Sequence, residues 1–425
     1  MSEFIIYGKQ ALSGTITASG NKNAALPMIA ASILTEEEVV LTNVPNILDV
    51  RSMIEILDHL GVDTNFQDNT LRICAHTIKT YSIPPHLCEK TRTSFLFVGP
   101  LLYRCQRANV HPPGGDVIGR RRLDAHFYGL QRLGVICDTD TFQFSIPNQL
   151  RSADLFLDET SVTATEHLLM LCCLTPGKST ILNSASEPHV QELALFLKAM
   201  GADISGIGTN NLAINGVEKL SGAHQAIQSD YIEVGSYLAL AAATGGSIRI
   251  ENVVRSHYWM IRRVFERFNI FFEFQDNAIY LPGGQDLRVQ ADAGEQTPKV
   301  DDGPWPSFPS DMMSPMIILA TQAQGSVLFF EKQFESRLYF VDPLKQMGAN
   351  IIVCDPHRII VMGKSELHGQ TVRSPDIRAG MALIIAALCA NHRPSRIQNA
   401  EEIDRGYENI ETKLKMLNAK IERVN

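Results

Sequence analysis

The 425-residue sequence has no Cys-x-x-Cys pair, no apolar run long enough to cross a bilayer and no surplus of basic residues. Each absence removes a class of protein. The eight cysteines, at positions 74, 88, 105, 137, 172, 173, 354 and 389, sit mostly in apolar segments. They read as buried, reduced thiols of a cytoplasmic protein, with no structural zinc and no metal site. Apolar stretches such as Met381–Ala390 are too short to span a membrane. The amino-terminal Met1-Ser-Glu-Phe lacks a basic segment, so no secretory signal is expected. With 38 basic and 46 acidic residues the net charge is −8, which argues against a general binder of nucleic acid or of membrane surfaces. Any anion site must therefore be a local gathering of cations.

What is present is a globular composition, 45% apolar and 20% charged, in a chain too long for one ordinary core. One signature recurs six times: a helix ending apolar-x-x-apolar, then Gly or Asn, then a strand. The copies end at Gly61, Gly134, Gly201, Asn269, Gly348 and Asn418, with spacings of 73, 67, 68, 79 and 70 residues. Gly and Asn tolerate the left-handed position that follows a helix, so each copy is a helix stop. A period of about 70 residues exceeds that of solenoid repeats and points to six small βαβ-type layers. Most layers also hold an earlier helix of small apolar residues, such as Ala24–Leu34, Val234–Thr244 and Ala379–Ala390, followed by a β-rich strand. Helices apolar on every side are buried helices. The expected fold is an α/β protein of two inside-out barrels, three layers each, with helices inside the sheets.

The chemistry concentrates in loops. His111-Pro-Pro-Gly-Gly-Asp-Val-Ile-Gly-Arg-Arg-Arg122 is too rich in Pro and Gly for a helix or a central strand. It carries one carboxylate, Asp116, beside Arg120, Arg121 and Arg122, a set suited to proton transfer onto an anionic substrate. Taken by itself it also reads as an exposed basic turn. Gly20-Asn-Lys-Asn23 precedes a strong helix, whose start binds anions, with Lys22 adding a point charge. Arg92 stands before the apolar Phe95–Leu102 run. Asp302-Gly-Pro-Trp-Pro-Ser-Phe-Pro-Ser-Asp311 is a stiff loop delivering Ser310 and Asp311 to a helix start, as a positioned carboxylate or as a helix cap. Phe334-Glu-Ser-Arg337, Asp376-Ile-Arg378 and Asp404-Arg405 each set an Arg near an acid and, one at a time, read as surface ion pairs.

Together these motifs resemble the enolpyruvyl transferases. The resemblance spans essentially the whole chain and rests on Gly20-Asn-Lys-Asn-Ala-Ala-Leu-Pro27, Pro113-Gly-Gly-x-x-Ile-Gly-x-Arg121, Phe308-Pro-Ser-Asp311, Phe334-Glu-Ser-Arg337 and Ile403-Asp-Arg-Gly-Tyr407. It implies two three-repeat domains, residues 22–229 with the Asp116 loop, and residues 1–21 with 230–425, and an active site in the cleft between them. It implies transfer of the enolpyruvyl group of phosphoenolpyruvate to the 3′-hydroxyl of UDP-N-acetylglucosamine, the first committed step of peptidoglycan synthesis, without metal or organic cofactor. By the same resemblance Lys22, Arg121 and Arg405 grip phosphoenolpyruvate, and Arg337 and Arg378 line its side of the second domain. Arg92 faces the nucleotide diphosphate or the shared anion region, and Asn23 bonds the reacting centre. Asp311 takes the proton of the sugar hydroxyl, and Gln333 holds the acetamido group through its backbone. Ser161, Val162 and the run from Arg121 to Ala125 follow the uridine, and Asp49 orients its neighbours.

Asp116 occupies the position that delivers a proton to the methylene carbon of phosphoenolpyruvate, where the commonest family pattern has Cys. A carboxyl group donates that proton if its site favours the protonated form, but it is a poorer nucleophile than a thiolate. Glu159 stands where many relatives have Lys, and Arg122 where Pro is common. The alternatives are an enolpyruvyl transferase with another acceptor, such as shikimate 3-phosphate, and a non-catalytic UDP-sugar-binding paralogue.

Overall fold

Strands of alternating burial and helices with no polar face together dictate layers whose helices lie inside. The computed structural model, which describes residues 2–116 and 118–424, has this architecture. The chain divides into two compact units. The first comprises Gly20–Gly115 and Arg122–Gln228; the second comprises the residues up to Ser19, Asp116–Arg121 and those from Ser229 onward.

The first unit is built on helices α1 (Lys22–Ala31), α2 (Val98–Cys105, entered through the 3-10 turn Arg92–Phe97) and α3 (Val162–Cys172). Ala24–Ala31 and Ala164–Cys172 are buried throughout, as their lack of a polar stripe requires. Its described residues form three sheets. In one, Val39–Thr42 pairs in parallel with His224–Ala226 and antiparallel with Thr70–Cys74, which continues to Asp63–Gln67. In the next, Lys178–Leu182 pairs in parallel with Asp154–Phe156 and antiparallel with Asn211–Asn215. The third has three strands, Arg107–Asn109, Gln143–Ser145 and Ile136–Asp138, and a lone parallel bridge from Ser82 to Asn109 stands where a fourth strand would lie.

The second unit repeats the plan with α4 (Tyr231–Thr244), α5 (Met313–Gln322) and α6 (Ile377–Cys389), which pack against one another. Its three sheets keep the order of a parallel edge strand, a strand from the repeat and an antiparallel pair. One runs Ser13–Thr17, Ser247–Glu251, Ala278–Leu281 and Glu273–Gln275. Another runs Lys299–Asp301, Gly325–Phe330, Arg358–Gly363 and Ile351–Asp355. In the last, the amino-terminal strand Glu3–Tyr7 lies between Ser395–Gln398 and the carboxy-terminal Lys420–Val424.

All six expected helix stops are left-handed, with φ of 83° at Gly61, 97° at Gly134, 106° at Gly201, 58° at Asn269, 102° at Gly348 and 65° at Asn418. The buried helices start under side-chain caps: Asn21 for α1, Ser161 for α3, Asp230 for α4 and Asp376 for α6. Two expectations change. The sequence reading placed the Asp116 loop with the first domain, whereas residues 116–121 group with the second unit. The backbone N–H of Arg120 donates to Glu335 (2.7 Å), and that of Ser336 donates to the Ile118 carbonyl (3.0 Å). Among the thiols, Cys354 is exposed, because it points outward beside a register shift in an edge strand.

The cores hold titratable groups in their neutral forms. Burial pushes Glu166 well up and Glu192 to about 7; burial, reinforced by Asp302 against the pull of Arg337, takes Glu331 to about 8. Burial also lowers His126 well below its ordinary value, His167 to about 3 and His257 to about 4. A carboxyl that keeps its proton in the fold loses stability as pH rises from its ordinary 4.5 through its folded value. A histidine kept neutral loses stability as pH falls from its ordinary 6.5. The two trends oppose each other between these values, so unfolding free energy should fall from pH 6.5 towards 8 and again below 4.5. Each unmatched proton contributes about 1.4 kcal/mol per pH unit. Denaturant titrations across this range test it, and Glu192→Gln should flatten the alkaline slope.

Candidate active site

In the second unit the candidate residues meet where buried helices begin. The stiff loop ending at Pro309 leads into the 3-10 turn Ser310–Met312 ahead of α5, so Asp311 stands at a helix start. Its Oδ1 accepts from Arg337 Nη2 and its Oδ2 from Arg378 Nε, both at 2.9 Å. Arg337 and Arg378 are each 4% exposed. They are not the surface ion pairs that their sequence neighbours suggested, and their shared partner is an acid 26 residues from one and 67 from the other. Burial disfavours the charge on Arg337, but Asp311, Glu331, Asp376 and Asp116 outweigh it and raise its proton affinity. The same contest, led by Asp311, ends well up for Arg378, whose guanidinium also lies 5.3 Å from the ring centre of Tyr407.

The Asp116 carboxylate accepts from Arg405 Nη1 at 2.8 Å, and the same nitrogen reaches Glu402 at 2.8 Å. The adjacent Asp404 pairs instead with Arg423, through two bonds of 2.7 and 2.8 Å. Arg121 feels burial first, which lowers it; Asp116 and Asp311 raise it while Arg337 and Arg405 lower it. The second unit thus brings together Asp116, Arg121, Asp311, Arg337, Arg378 and Arg405. Gln333 follows the strand Gly325–Phe330, in a turn whose N–H groups are held by the buried Glu331. Glu331 and Glu402 were not singled out in the sequence. The available signal was an acid directly after an apolar strand, Glu331, which the stretch Phe329-Phe330-Glu331 does contain.

The first unit holds the others at helix starts of its own. Lys22 opens α1, and its Nζ lies 2.7 Å from Asp49 Oδ2, both side chains being nearly buried. Asn23 donates its backbone N–H to the Asn21 cap at 2.8 Å. Arg92 opens the turn before α2 and donates to the Arg122 carbonyl at 3.0 Å. Ser161 caps α3, and Val162 is its first residue. Arg122 lies 3.5 Å from Glu159 and 3.7 Å from Asp158, so its cation offsets the acid that replaces the expected Lys. Beneath them His126 and His167 face each other at 3.0 Å, with His126 also 3.1 Å from the Thr163 hydroxyl. Among the described residues no cluster of His, Cys, Asp and Glu is arranged to hold a metal ion, and no helix is long and apolar enough to cross a membrane.

Comparison with known proteins bears on the family and the fold. The profile of the family described as EPSP synthase (3-phosphoshikimate 1-carboxyvinyltransferase) matches residues 6–414. The UDP-N-acetylglucosamine 1-carboxyvinyltransferases of Borreliella burgdorferi and Bradyrhizobium diazoefficiens are each 49% identical to this chain; the alignments cover 100% and 99% of it and 99% and 98% of those proteins. That of Treponema denticola is 48% identical, over 99% of both chains. Among solved structures, the enolpyruvyl transferase NikO from Streptomyces tendae superposes with a TM-score of 0.88 at 21% identity, covering 100% of this chain and 99% of that one. An EPSP synthase from Acinetobacter baumannii gives 0.76 at 17% identity over the full length of both. These two likenesses bear on the fold.

Removing the acid between two buried guanidinium groups strands both charges. Asp311→Ala should therefore cost about 3 kcal/mol of unfolding free energy, and Asp311→Asn, which keeps one acceptor oxygen, should cost less. Chemical denaturation of the two variants checks the order.

Proposed function

This chain belongs to the enolpyruvyl transferases, the family described as EPSP synthase (3-phosphoshikimate 1-carboxyvinyltransferase), and on that footing we propose that it transfers the enolpyruvyl group of phosphoenolpyruvate to the 3′-hydroxyl of UDP-N-acetylglucosamine, releasing phosphate. The observation that carries this acceptor is identity of nearly one half, over the full length of both chains, with proteins named for that reaction. It makes the protein the first committed enzyme of peptidoglycan synthesis.

The donor carries a phosphate and a carboxylate, and several permanent cations must already be in place to receive it. Arg121 and Arg405 take the phosphate, while Arg337 and Arg378 face the carboxylate; Lys22 is a further cation assigned to the donor. Asp116 protonates the methylene carbon, leaving positive charge on the carbon that bears the phosphate ester. The sugar oxygen adds there as Asp311 takes its proton. Loss of a methyl proton back to Asp116 restores the double bond as the carbon–oxygen bond to phosphate breaks, and the proton on Asp311 leaves with phosphate. Arg405 donates a hydrogen bond to Asp116. A phosphate that takes Arg405 leaves Asp116 beside new negative charge, the condition in which a carboxyl group takes up a proton. Binding of the donor would then arm the acid. Arg92, Ser161, Val162 and the backbone from Arg121 to Ala125 serve the nucleotide, Gln333 the acetamido group and Asn23 the reacting centre, with Asp49 orienting Lys22.

Phosphate release from phosphoenolpyruvate should require UDP-N-acetylglucosamine and show no response to shikimate 3-phosphate; the opposite dependence would replace the acceptor. Asp116→Ala and Asp311→Ala should each slow release by at least about 100-fold, the scale of a lost general acid or base; rates equal to wild type in both variants would remove these roles. The epoxide fosfomycin, which needs a thiolate-like nucleophile, should leave no stoichiometric adduct at Asp116. Intact-mass spectrometry after incubation reads this directly.

A further inference from the structure

Two buried acids of the second unit have no part in the chemistry above, Asp302 and Glu331, which are 1% and 0% exposed. Between them they order one short turn. Asp302 Oδ1 accepts from the Lys332 backbone N–H, and its Oδ2 accepts from Gln333 Nε2 at 2.9 Å. Glu331 Oε1 accepts from the backbone N–H groups of Gln333 (3.2 Å) and Phe334 (3.1 Å). The Ser310 hydroxyl, next to Asp311, lies 3.0 and 2.8 Å from the two Glu331 oxygens. Arg337 Nε stands 3.8 Å from Glu331 Oε2, while Nη2 of the same group is bonded to Asp311. Glu331 therefore touches the turn that carries Gln333, the residue before the base and the guanidinium that holds the base.

The Glu331 side chain is also hydrogen-bonded to that of Asp302, and two ionised carboxylates meeting out of water, with only Glu331 facing Arg337, would repel each other strongly. A single proton held between them removes the repulsion and leaves one negative charge for Arg337. We propose that Asp302 and Glu331 are a proton-sharing pair of positioning residues, which keeps Gln333 presented and Arg337 on Asp311, and whose loss of that proton draws Arg337 away from Asp311 and switches the site off. The proposal rests on the reading of Asp311 and Gln333 given above. The groups facing the pair are Arg337 from the turn Arg337–Phe340, Ser310 from the turn before α5, and His357, whose Nδ1 lies 2.7 Å from the Glu331 carbonyl. Lys332 and Lys299 are engaged with Asp301 close by. Burial is the largest influence on Glu331, with Arg337 opposing it and Asp302 adding to it, and takes it to about 8. Burial and the neighbouring acid thus favour the proton on Glu331, and rising pH removes it.

The loop itself supplies a probe. Trp305 lies between Asp302 and Ser310, with its ring 6.1 Å from that of Tyr231, whereas the other tryptophan, Trp259, is 57% exposed and can be replaced. In a Trp259→Phe background, Trp305 fluorescence should show one transition near pH 8. It should vanish with Glu331→Gln, which mimics the protonated acid, and move down by about one pH unit or more with Asp302→Asn, which removes the second charge. The alkaline limb of kcat, followed by phosphate release, should move in step in each variant, whatever its plateau rate, while KM for phosphoenolpyruvate stays within about threefold. The same transition and limb in Glu331→Gln as in wild type, or no Trp305 transition in the wild type, would overturn the proposal. A wild-type chain that shows the transition but does not turn over would refute the enolpyruvyl reading and leave the proton-sharing pair standing.

Discussion

The structure of the candidate site depends on holding like charges together with little water. Arg337, Arg378, Arg121 and Arg405 belong to four different segments of the second unit, and two of them are almost wholly buried. Such groups repel one another unless carboxylates are interleaved, and each carboxylate must make directed hydrogen bonds to offset its own loss of hydration. Asp311 does so for two guanidinium groups at once and Asp116 for a third. The acids assigned to proton transfer are therefore also the acids that let the cations stay buried. Chemistry and stability draw on the same few contacts.

The fold supplies this arrangement by repetition. Each buried helix begins at a capped or tightly turned segment, and the candidate residues occupy those beginnings: Lys22, Arg92 and Val162 in the first unit, Asp311 and Arg378 in the second. A helix start has free N–H groups and a favourable field for anions, so the repeat makes anion-binding ends before any particular side chain is chosen. Small residues let the helices approach. A Cβ at Gly99 would stand 2.9 Å from the His167 ring, and one at Gly235 would stand 2.7 Å from the Met312 side chain.

Much of this was legible in the sequence because it is encoded locally. Six left-handed stops, helices without a polar face and Pro- and Gly-bound loops are each readable within about a dozen residues. The family resemblance was legible for the same reason, since its motifs are contiguous. Pairings across the fold were not legible. Arg405 looks tied to Asp404 in sequence, yet it bonds Asp116 while Asp404 bonds Arg423. Arg337 and Arg378 look like surface charges until Asp311 is seen between them. Residues 116–121 look continuous with the loop that begins at His111, yet Gly114 packs on the Cys88–Glu89 backbone and Arg120 on Glu335. Glu331 carried only the faint mark of an acid ending an apolar strand. In each case the deciding partner lies tens to hundreds of residues away, where propensity and periodicity carry no information.

The amino-terminal strand has a consequence of a different kind. Among the described residues, the strand partners of Glu3–Tyr7 are Ser395–Gln398 and Lys420–Val424. The first unit closes its own sheet when His224–Ala226 reaches Val39–Thr42. On a ribosome the first unit therefore has every strand it needs once Gln228 has emerged. Glu3–Tyr7 meanwhile waits, edges unsatisfied, for Ser395–Gln398 and Lys420–Val424. Birth order and assembly order run opposite ways in this chain, and the newborn protein carries its oldest segment as its latest to settle.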